Sequence, residues 1–293
     1  MDAKVDCEPR ERRVSLPSRG GEMAFLDFGP PARPVDIVFS HANGFNARTY
    51  RSILSPLAAE LRILAIDLRG HGLSRLPTVI EGRDGWSEFR EDLLAFLEAA
   101  TDGPVVLAGH SMGGTSSLLV AAQAPARVKR LALFDPVIMP REALREMAEP
   151  VRSPLVEGAL RRRANFPSKA AAREAYAGRG AFRTWSPAQI ADYVEAGFRQ
   201  APEGGVTLSC TPEWEASNFR THNFDPWTAF RESRCPIDIR RAAIASTCRI
   251  EGEEAELAET GRIFIEVVPE TTHFLPMERP DVVAHTLRFA AIG

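Results

Sequence analysis

A Gly-x-Ser-x-Gly pentapeptide is the feature that most constrains the fold of this 293-residue chain. It spans Gly109 to Gly113, with Ser111 at its centre. The apolar segment before it (residues 105–108) is typical of a buried strand, and residues 114–122 are typical of a helix. A sharp turn between strand and helix pushes the serine above the edge of a sheet, and glycines permit the strained backbone. Ser111 is therefore a candidate nucleophile.

Short apolar runs alternate with helical patterns along much of the chain. This alternation predicts an α/β fold, with a mostly parallel central sheet and helices on both faces. The predicted strands are residues 14–16, 23–26, 35–39, 62–66, 105–108, 128–134, 237–239 and 263–268, and the predicted helices outside the middle of the chain are 50–61, 86–99, 114–122 and 280–290.

The pattern changes between residues 140 and 233, which are rich in arginine, alanine and aromatic residues. We predict that this cap segment (140–233) is a helical insertion folded over a core made of 1–139 and 234–293. The aromatic rings predict an apolar cleft over Ser111, with Trp185 and Trp214 as candidate substrate-binding residues. The alternative is that most of these rings only pack the cap helices. Arg161 to Arg163 favour a solvated face over a clamp for a substrate carboxylate.

The bulk composition excludes several classes of function. The formal net charge is −3, which gives no general affinity for nucleic acid or an anionic membrane. No apolar run approaches the roughly 20 residues of a membrane helix. The N-terminus lacks the apolar core of a signal peptide, and the four cysteines show no Cys-x-x-Cys spacing. We therefore expect a cytoplasmic protein that acts on a small molecule and uses neither metal nor cofactor, and the choice between a monomer and a homodimer stays open.

Four motifs stand in an order that resembles the serine-nucleophile branch of the α/β-hydrolase superfamily, with a cap insertion. The resemblance covers nearly the whole chain and implies that fold. It also implies that His273, on the loop after the last strand, is the base that activates Ser111. The motifs are His41–Phe45, Asp67–Ser74, Gly109–Gly113 and Thr272–Pro280.

The acid that orients His273 departs from the usual pattern of the family. In most members an Asp follows the strand after the cap, but Ala245 or Ser246 stands there in this chain, and Asp238 lies too early. The strand before the cap ends in Asp135, and some members, including certain haloalkane dehalogenases, place the acid there. We therefore predict Asp135 as the acid; the alternative is that it only caps the turn before Pro136.

The resemblance also implies an oxyanion hole. The backbone N–H groups of Asn43 and Met112 would form it, although Ala42 replaces the glycine that usually precedes the first of these positions. Phe45 is a candidate pocket residue, with a packing role left open. His71 and His110 lie inside motifs and are interpreted as structural.

These residues predict a serine hydrolase for a small apolar ester, thioester or lactone, acting through a Ser-His-Asp triad and an acyl-enzyme. The alternative within enzymes is hydrolysis of a carbon–carbon bond in a diketone or a ring-cleavage product, and peroxide-dependent acyl transfer is a third use of such a site. The rival from another class is a non-catalytic ligand receptor on the same fold.

Overall fold

The computed structural model describes residues 8–83, 85–142, 153–221 and 223–293. Within these ranges the main sheet has eight strands in the order β1-β2-β4-β3-β5-β6-β10-β11. The first two pair antiparallel, β2 pairs antiparallel with β4, and the others are parallel. The strands are β1 Arg10–Leu16, β2 Gly21–Phe28, β3 Ile37–Ser40, β4 Ile63–Ile66, β5 Val105–His110, β6 Val128–Phe134, β10 Ile237–Ala242 and β11 Ile263–Val268.

Helices cover both faces of this sheet, because successive strand residues point to opposite sides. Val38 packs in the core cluster that contains α2 and α3, whereas Ile37 and Phe39 pack in the cluster that contains the C-terminal helix. The predicted α/β architecture is therefore confirmed. The helices flanking the sheet are α1 Arg51–Leu54, α2 Ser87–Ala100, α3 Met112–Gln123, α9 Glu254–Glu259, α10 Leu275–Glu278 and α11 Pro280–Ile292.

The helix predicted over residues 50–61 is wrong in form. The structure has a 3-10 turn at Ala47–Tyr50, the four residues of α1, and a second 3-10 turn at Ser55–Leu57. Pro56 has no backbone N–H to donate, so α-helical hydrogen bonding cannot continue past it. The apolar spacing indicates a helical segment, but α1 ends at Leu54 and only a 3-10 turn follows.

The cap segment contains helices and, unlike the prediction, a small antiparallel sheet of order β7-β9-β8. Its aromatic residues divide between the two apolar clusters, so this part of the chain packs against both faces of the core. Those in the cluster of β3 and α11 are Phe166, Phe182, Trp185, Tyr193 and Phe198, and those in the cluster of α2 and α3 are Trp214, Phe224, Trp227 and Phe230. The boundaries at 140 and 233 stay a prediction. The elements are α4 Pro154–Leu160, β7 Asn165–Phe166, α5 Lys169–Tyr176, α6 Pro187–Gly197, β8 Phe198–Gln200, β9 Val206–Leu208, α7 Pro212–Arg220 and α8 Pro226–Glu232.

Five parallel strands, β3, β5, β6, β10 and β11, are contiguous in the sheet. Their carboxyl ends meet at one edge, which is where ligand sites form in open α/β sheets. The loops that leave this edge carry the motifs singled out in the sequence. They hold His41–Phe45, Ser111, Asp135, Ala245–Thr247 and His273.

In the described part of the chain, no helix has both the length and the apolar character needed to cross a membrane. Cys210, Cys235 and Cys248 are buried free thiols, and Cys7 lies outside the described residues.

Candidate active site

Ser111 occupies a strained backbone position between β5 and α3. Its φ is 55° and its ψ is −123°, a conformation that costs energy for any residue other than glycine. The turn is tight because backbone crosses backbone: a Cβ at Gly109 would lie 2.5 Å from the Gly113 carbonyl carbon, and one at Gly113 would lie 2.3 Å from the Ser40 oxygen. Larger residues at the two glycines would therefore displace the serine.

Ser111, His273 and Asp135 form a continuous hydrogen-bonded chain. The His273 Nε2 lies 3.0 Å from the Ser111 Oγ, and its Nδ1 lies 2.7 Å from the Asp135 Oδ2. Asp135 is fully buried and Ser111 is nearly so, whereas the His273 side chain is 23% exposed. The structure thus brings together three side chains that are 24 or more positions apart in sequence. With Nδ1–H donating to the carboxylate, Nε2 is left free to accept the serine proton.

Asp135 is held by donors on every side. Its Oδ1 accepts from the Ala242 amide at 2.9 Å and from the Ser246 hydroxyl at 2.5 Å, and its Oδ2 accepts from the Thr247 amide at 3.1 Å. Burial by itself would raise the pKa of Asp135, but the hydrogen bond with His273, the His273 charge and these donors outweigh it, so the pKa falls to about 2. The carboxylate is therefore ionised at neutral pH.

The loop after β10 supports the acid instead of supplying it. Ser246 stands where the usual acid was expected, and its hydroxyl points at Asp135. Asp238 is buried in β10 and pairs with Arg130 at 2.6 Å. Two glutamates further along this loop also have other partners, since Glu251 pairs with Arg241 and Glu253 with Arg141. Among the described residues, Asp135 is the carboxylate bonded to the His273 ring.

The amides of Asn43 and Met112 have no hydrogen-bond acceptor within the described ranges. Met112 is the first residue of α3, where a helix leaves its N–H groups unpaired. The carbonyl of Ala42 accepts from the Phe45 amide at 3.1 Å and from the His41 Nδ1 at 2.7 Å. The peptide bond between Ala42 and Asn43 is trans, so the Asn43 N–H points in the opposite direction to the Ala42 carbonyl, away from the groups that donate to that carbonyl.

The cap segment holds the side chain of Asn43 through two hydrogen bonds. Its Nδ2 donates to the Glu215 carbonyl at 3.1 Å, and its Oδ1 accepts from the Asn218 Nδ2 at 2.8 Å. The Tyr193 hydroxyl donates to the Gly44 carbonyl at 3.3 Å. The loop after β3 is therefore fixed in part by residues about 150 to 175 positions later, which no local sequence pattern could indicate.

An aromatic cluster lies beside the His273 loop. Phe45 stacks on Phe274 with ring centroids 6.2 Å apart and meets Trp185 edge-on at 5.3 Å, and the Phe45 ring is 6.1 Å from that of His110. Two of the three residues predicted to bind substrate, Phe45 and Trp185, are therefore near the triad. Phe274, the residue after His273, also belongs to this cluster, although the sequence indicated it only as part of the Thr272–Pro280 motif.

Trp214, the third residue predicted to bind substrate, makes its contacts with the turn after β4, and its role in binding stays a prediction. It is 1% exposed, its indole N–H donates to the Arg69 carbonyl at 3.0 Å, and the Arg83 guanidinium lies 4.0 Å from its ring centroid. A Cβ at Gly70 would lie 2.2 Å from its indole nitrogen. Trp214 joins α7 to the turn after β4 and has a packing role.

The arginine run is corrected at its middle member. Arg161 is exposed and pairs with Glu157 on α4. Arg162 instead points inward and forms an ion pair with Glu215, one of the buried carboxylates of the cap segment. A run of like charges usually indicates a solvated face. Arg162 lies in the turn after α4, where the 3.6-residue helical repeat does not apply, so the sequence pattern could not predict the direction of its side chain.

Comparisons with known proteins address the family and the fold of this chain. A model of the alpha/beta hydrolase family matches residues 37–286. The chain is 26% identical over 257 residues to a 2-(acetamidomethylene)succinate hydrolase of Mesorhizobium japonicum, with 84% of each chain covered. It is 40% identical over 98 residues to the dihydrolipoyllysine-residue acetyltransferase component of an acetoin cleaving system of Pseudomonas putida. That match spans only 26% of the relative's length.

Solved structures share the whole fold. The crystal structure of E-2-(acetamidomethylene)succinate hydrolase superposes with a TM-score of 0.77 at 22% identity, covering 97% of this chain and 100% of that one. The thioesterase domain from the curacin biosynthetic pathway gives 0.75 at 18% identity, over 96% and 99% of the two chains. Such identities show the fold alone. With the family model matching most of its length, the chain belongs to the α/β-hydrolase family.

Proposed function

We propose that this protein is a serine hydrolase that cleaves a small apolar acyl substrate, an ester, thioester or lactone, through an acyl-enzyme. The observation that carries the proposal is the continuous chain from the Ser111 Oγ through His273 to the buried Asp135, with distances of 3.0 and 2.7 Å. Family membership supports a hydrolase, and this chain of contacts supports the choice of nucleophile.

The reaction would begin when the Ser111 Oγ attacks the substrate carbonyl carbon while Nε2 of His273 takes the hydroxyl proton. Asp135, held ionised by its donors, stabilises the imidazolium that forms. His273 then returns the proton to the leaving group, and the acyl group remains on Ser111. Water enters, gives its proton to His273 and releases the acid, which restores the free serine.

The free amides of Asn43 and Met112 would stabilise the tetrahedral intermediates. Asn43 lies on the loop after β3 and Met112 at the start of α3, both at the same sheet edge as Ser111, and neither amide donates to an acceptor in the described residues. Preorganised donors of this kind act where negative charge develops, so they lower the barrier without a cost of reorganisation. A serine with such donors suits acyl transfer rather than displacement at an alkyl carbon.

The apolar acyl preference is supported by the rings of Phe45, Trp185 and Phe274 next to the His273 loop. Their faces offer contact area and no charge. Arg162 does not contribute a free cation, because Glu215 pairs with it. These features favour an uncharged acyl group over a carboxylate-bearing one.

A second candidate is hydrolysis of a small substituted dicarboxylic acid. It is favoured by the similarity to the 2-(acetamidomethylene)succinate hydrolase, which extends over 84% of both chains. The two candidates use the same nucleophile, so they differ only in what the cap segment admits. Cleavage of a diketone would also use this triad, and it belongs in the same substrate panel.

The proposal is tested by covalent labelling and by Ser111→Ala. The wild-type protein should react with a fluorophosphonate probe and hydrolyse p-nitrophenyl esters in a panel that also contains a diketone and 2-(acetamidomethylene)succinate. Ser111→Ala should lose labelling and on the order of a millionfold in kcat, as removal of a triad serine does in a protease. Ser116→Ala is the matched control, since the Ser116 hydroxyl only donates to the Met112 carbonyl of the same helix. If Ser111→Ala keeps esterase activity, Ser111 is not the nucleophile, and an unlabelled wild type that turns over nothing indicates a receptor.

A further inference from the structure

Tyr50 and His110 form a buried hydrogen-bonded chain between two loops of the candidate site. The Ala42 amide lies 3.2 Å from the Tyr50 hydroxyl oxygen, which lies 2.8 Å from the Nδ1 of His110. The Nε2 of His110 lies 2.7 Å from the carbonyl oxygen of His273. Both side chains are completely buried, so solvent cannot substitute for either of them.

The direction of every bond in this chain follows from the ends. The His273 carbonyl can only accept, so Nε2 of His110 carries a proton. Burial and the nearby His273 lower the pKa of His110 to about 3, so the ring is neutral and Nδ1 is an acceptor. Tyr50 must therefore donate its hydroxyl proton to Nδ1, and its oxygen is left to accept from the Ala42 N–H.

This chain joins three of the five loops at the active edge of the sheet. Ala42 belongs to the loop after β3, His110 is the last residue of β5 and precedes Ser111, and His273 lies on the loop after β11. The contacts already described orient the His273 ring, but they leave its backbone free. The bond to the His273 carbonyl fixes that backbone, and the bond to the Ala42 amide fixes the residue just before Asn43.

We propose that Tyr50 and His110 are positioning residues that set the oxyanion loop and the His273 loop at one fixed separation on either side of Ser111. This inference rests on the proposed serine hydrolase function. It treats the histidine of the Gly-x-Ser-x-Gly pentapeptide as a fixed spacer that never takes part in proton transfer. Because reacting groups must be placed to within about 1 Å, slack in this spacer should slow the chemical step more than it weakens binding.

The first experiment is Tyr50→Phe, measured with the best ester of the panel and with phenylboronic acid, which forms a tetrahedral adduct on a catalytic serine. The variant leaves the Ala42 amide and Nδ1 of His110 without partners. We expect kcat to fall by about ten- to hundredfold with KM little changed, the pattern of an interaction that matters in the transition state. The affinity for phenylboronic acid should fall by a similar factor.

Tyr176→Phe is the matched control. Its hydroxyl is buried and has no hydrogen-bond partner among the described residues, so its removal deletes the same atom without breaking a hydrogen bond seen there. We expect unchanged kcat and unchanged boronic acid affinity in this variant.

His110→Gln and His110→Asn separate the two ends of the chain. The Gln amide nitrogen can reach the His273 carbonyl in place of Nε2, whereas the shorter Asn side chain can only offer Tyr50 an acceptor near the place of Nδ1. Since Tyr50 and His110 act in one chain, the losses in Tyr50→Phe and His110→Asn should not add in the double variant. If Tyr50→Phe does not fold, the two His110 variants decide by the same assays.

The inference is overturned if Tyr50→Phe lowers thermal stability but keeps the wild-type kcat and boronic acid affinity. Fully additive losses in the double variant would also overturn it. A wild-type protein that reacts with no fluorophosphonate would show that the proposed function fails, an outcome visible before any Tyr50 variant is made.

Discussion

Mild acid should destabilise this protein strongly, because three of its histidines are buried in neutral form. His41, His71 and His110 are at most 1% exposed. Burial lowers the pKa of His71 to about 4, and burial together with His273 lowers that of His110 to about 3. Burial also places the pKa of His41 well below its ordinary value of 6.5.

The sign of the effect follows from proton binding. Below pH 6.5 the histidines of the unfolded chain take up protons that the folded chain refuses, so the unfolded state is favoured as the pH falls. At pH 5 His71 and His110 should each cost about 2 kcal/mol relative to pH 7.5, or about 4 kcal/mol together, and His41 adds to this loss in the same direction. Their stabilising contribution is complete above pH 6.5 and declines below it.

Asp67 acts in the opposite direction. Burial raises its pKa to about 6, although the amides of Leu73 and Ala47 donate to it and lower the pKa in part. Protonation of Asp67 in the folded state therefore returns about 1.5 kcal/mol between pH 7.5 and 5. Asp135, with its pKa near 2, changes nothing until below about pH 4. The net loss from His71, His110 and Asp67 should be about 2.5 kcal/mol, to which His41 adds, and this is a large fraction of the roughly 5–15 kcal/mol by which domains are stable.

Urea denaturation between pH 5 and 8 measures this loss directly. His71→Asn should be less stable at pH 8 but should reduce the slope of stability against pH by about one proton below pH 6. His285→Gln, at an exposed position of α11, should leave the slope unchanged. A free energy of unfolding that stays constant from pH 7.5 to 5.5 would refute the reasoning, since the histidines would then be protonated in the folded protein.

Two further substitutions test the supports of the candidate site. Asp135→Asn should lower kcat by about 10⁴-fold, as the same change of the triad acid does in a serine protease, and it should also destabilise the fold. Either orientation of the amide sets its NH₂ group against a donor, the Ala242 amide on one side or the His273 Nδ1–H on the other, so near-normal kcat would exclude Asp135 as the acid. Asn218→Leu removes the amide that donates to the Asn43 Oδ1 and should lower the free energy of unfolding by about 1–3 kcal/mol, measured by urea denaturation. It should also lower kcat if Asn43 forms the oxyanion hole. Unchanged kcat would separate the cap contact from catalysis.

The fold could be predicted from the sequence because its signals are local. Alternating apolar strands and amphipathic helices repeat over 20 to 40 residues, and each buries its own apolar face, so the pattern survives without tertiary information. The helix predicted over 50–61 is wrong for a local reason as well, because Pro56 cannot donate the backbone hydrogen bond that would continue an α-helix. The small sheet of the cap segment, with strands of two or three residues, is too short for any periodic pattern to indicate.

The site shows where sequence reasoning ends. Motif order and the carboxyl-edge rule brought Ser111, Asp135 and His273 into one hypothesis, because parallel neighbouring strands deliver their loops to one place. Trp214 packs in the core, and the sequence alone does not say whether an aromatic residue of the cap segment faces the cleft or the core. The hydrogen bonds that Glu215 and Asn218 make with Asn43 could not be predicted from the sequence, because they depend on how the cap segment packs on the core.

If Asp135 is the acid, as we propose, its position explains how a triad can depart from the family's usual pattern. Asp135 and Ser246 are hydrogen-bonded neighbours at the ends of adjacent parallel strands, β6 and β10. A carboxylate at either end can therefore reach the same nitrogen of His273, provided that the other end supplies donors. In this chain the loop after β10 does so through Ser246 and Thr247, and the hydrogen bonds that hold the Asp135 carboxylate come from the place where the acid was expected. What the reaction requires is one ionised, immobilised carboxylate at the Nδ1 side of the base, and the sheet edge offers two equivalent ways to provide it.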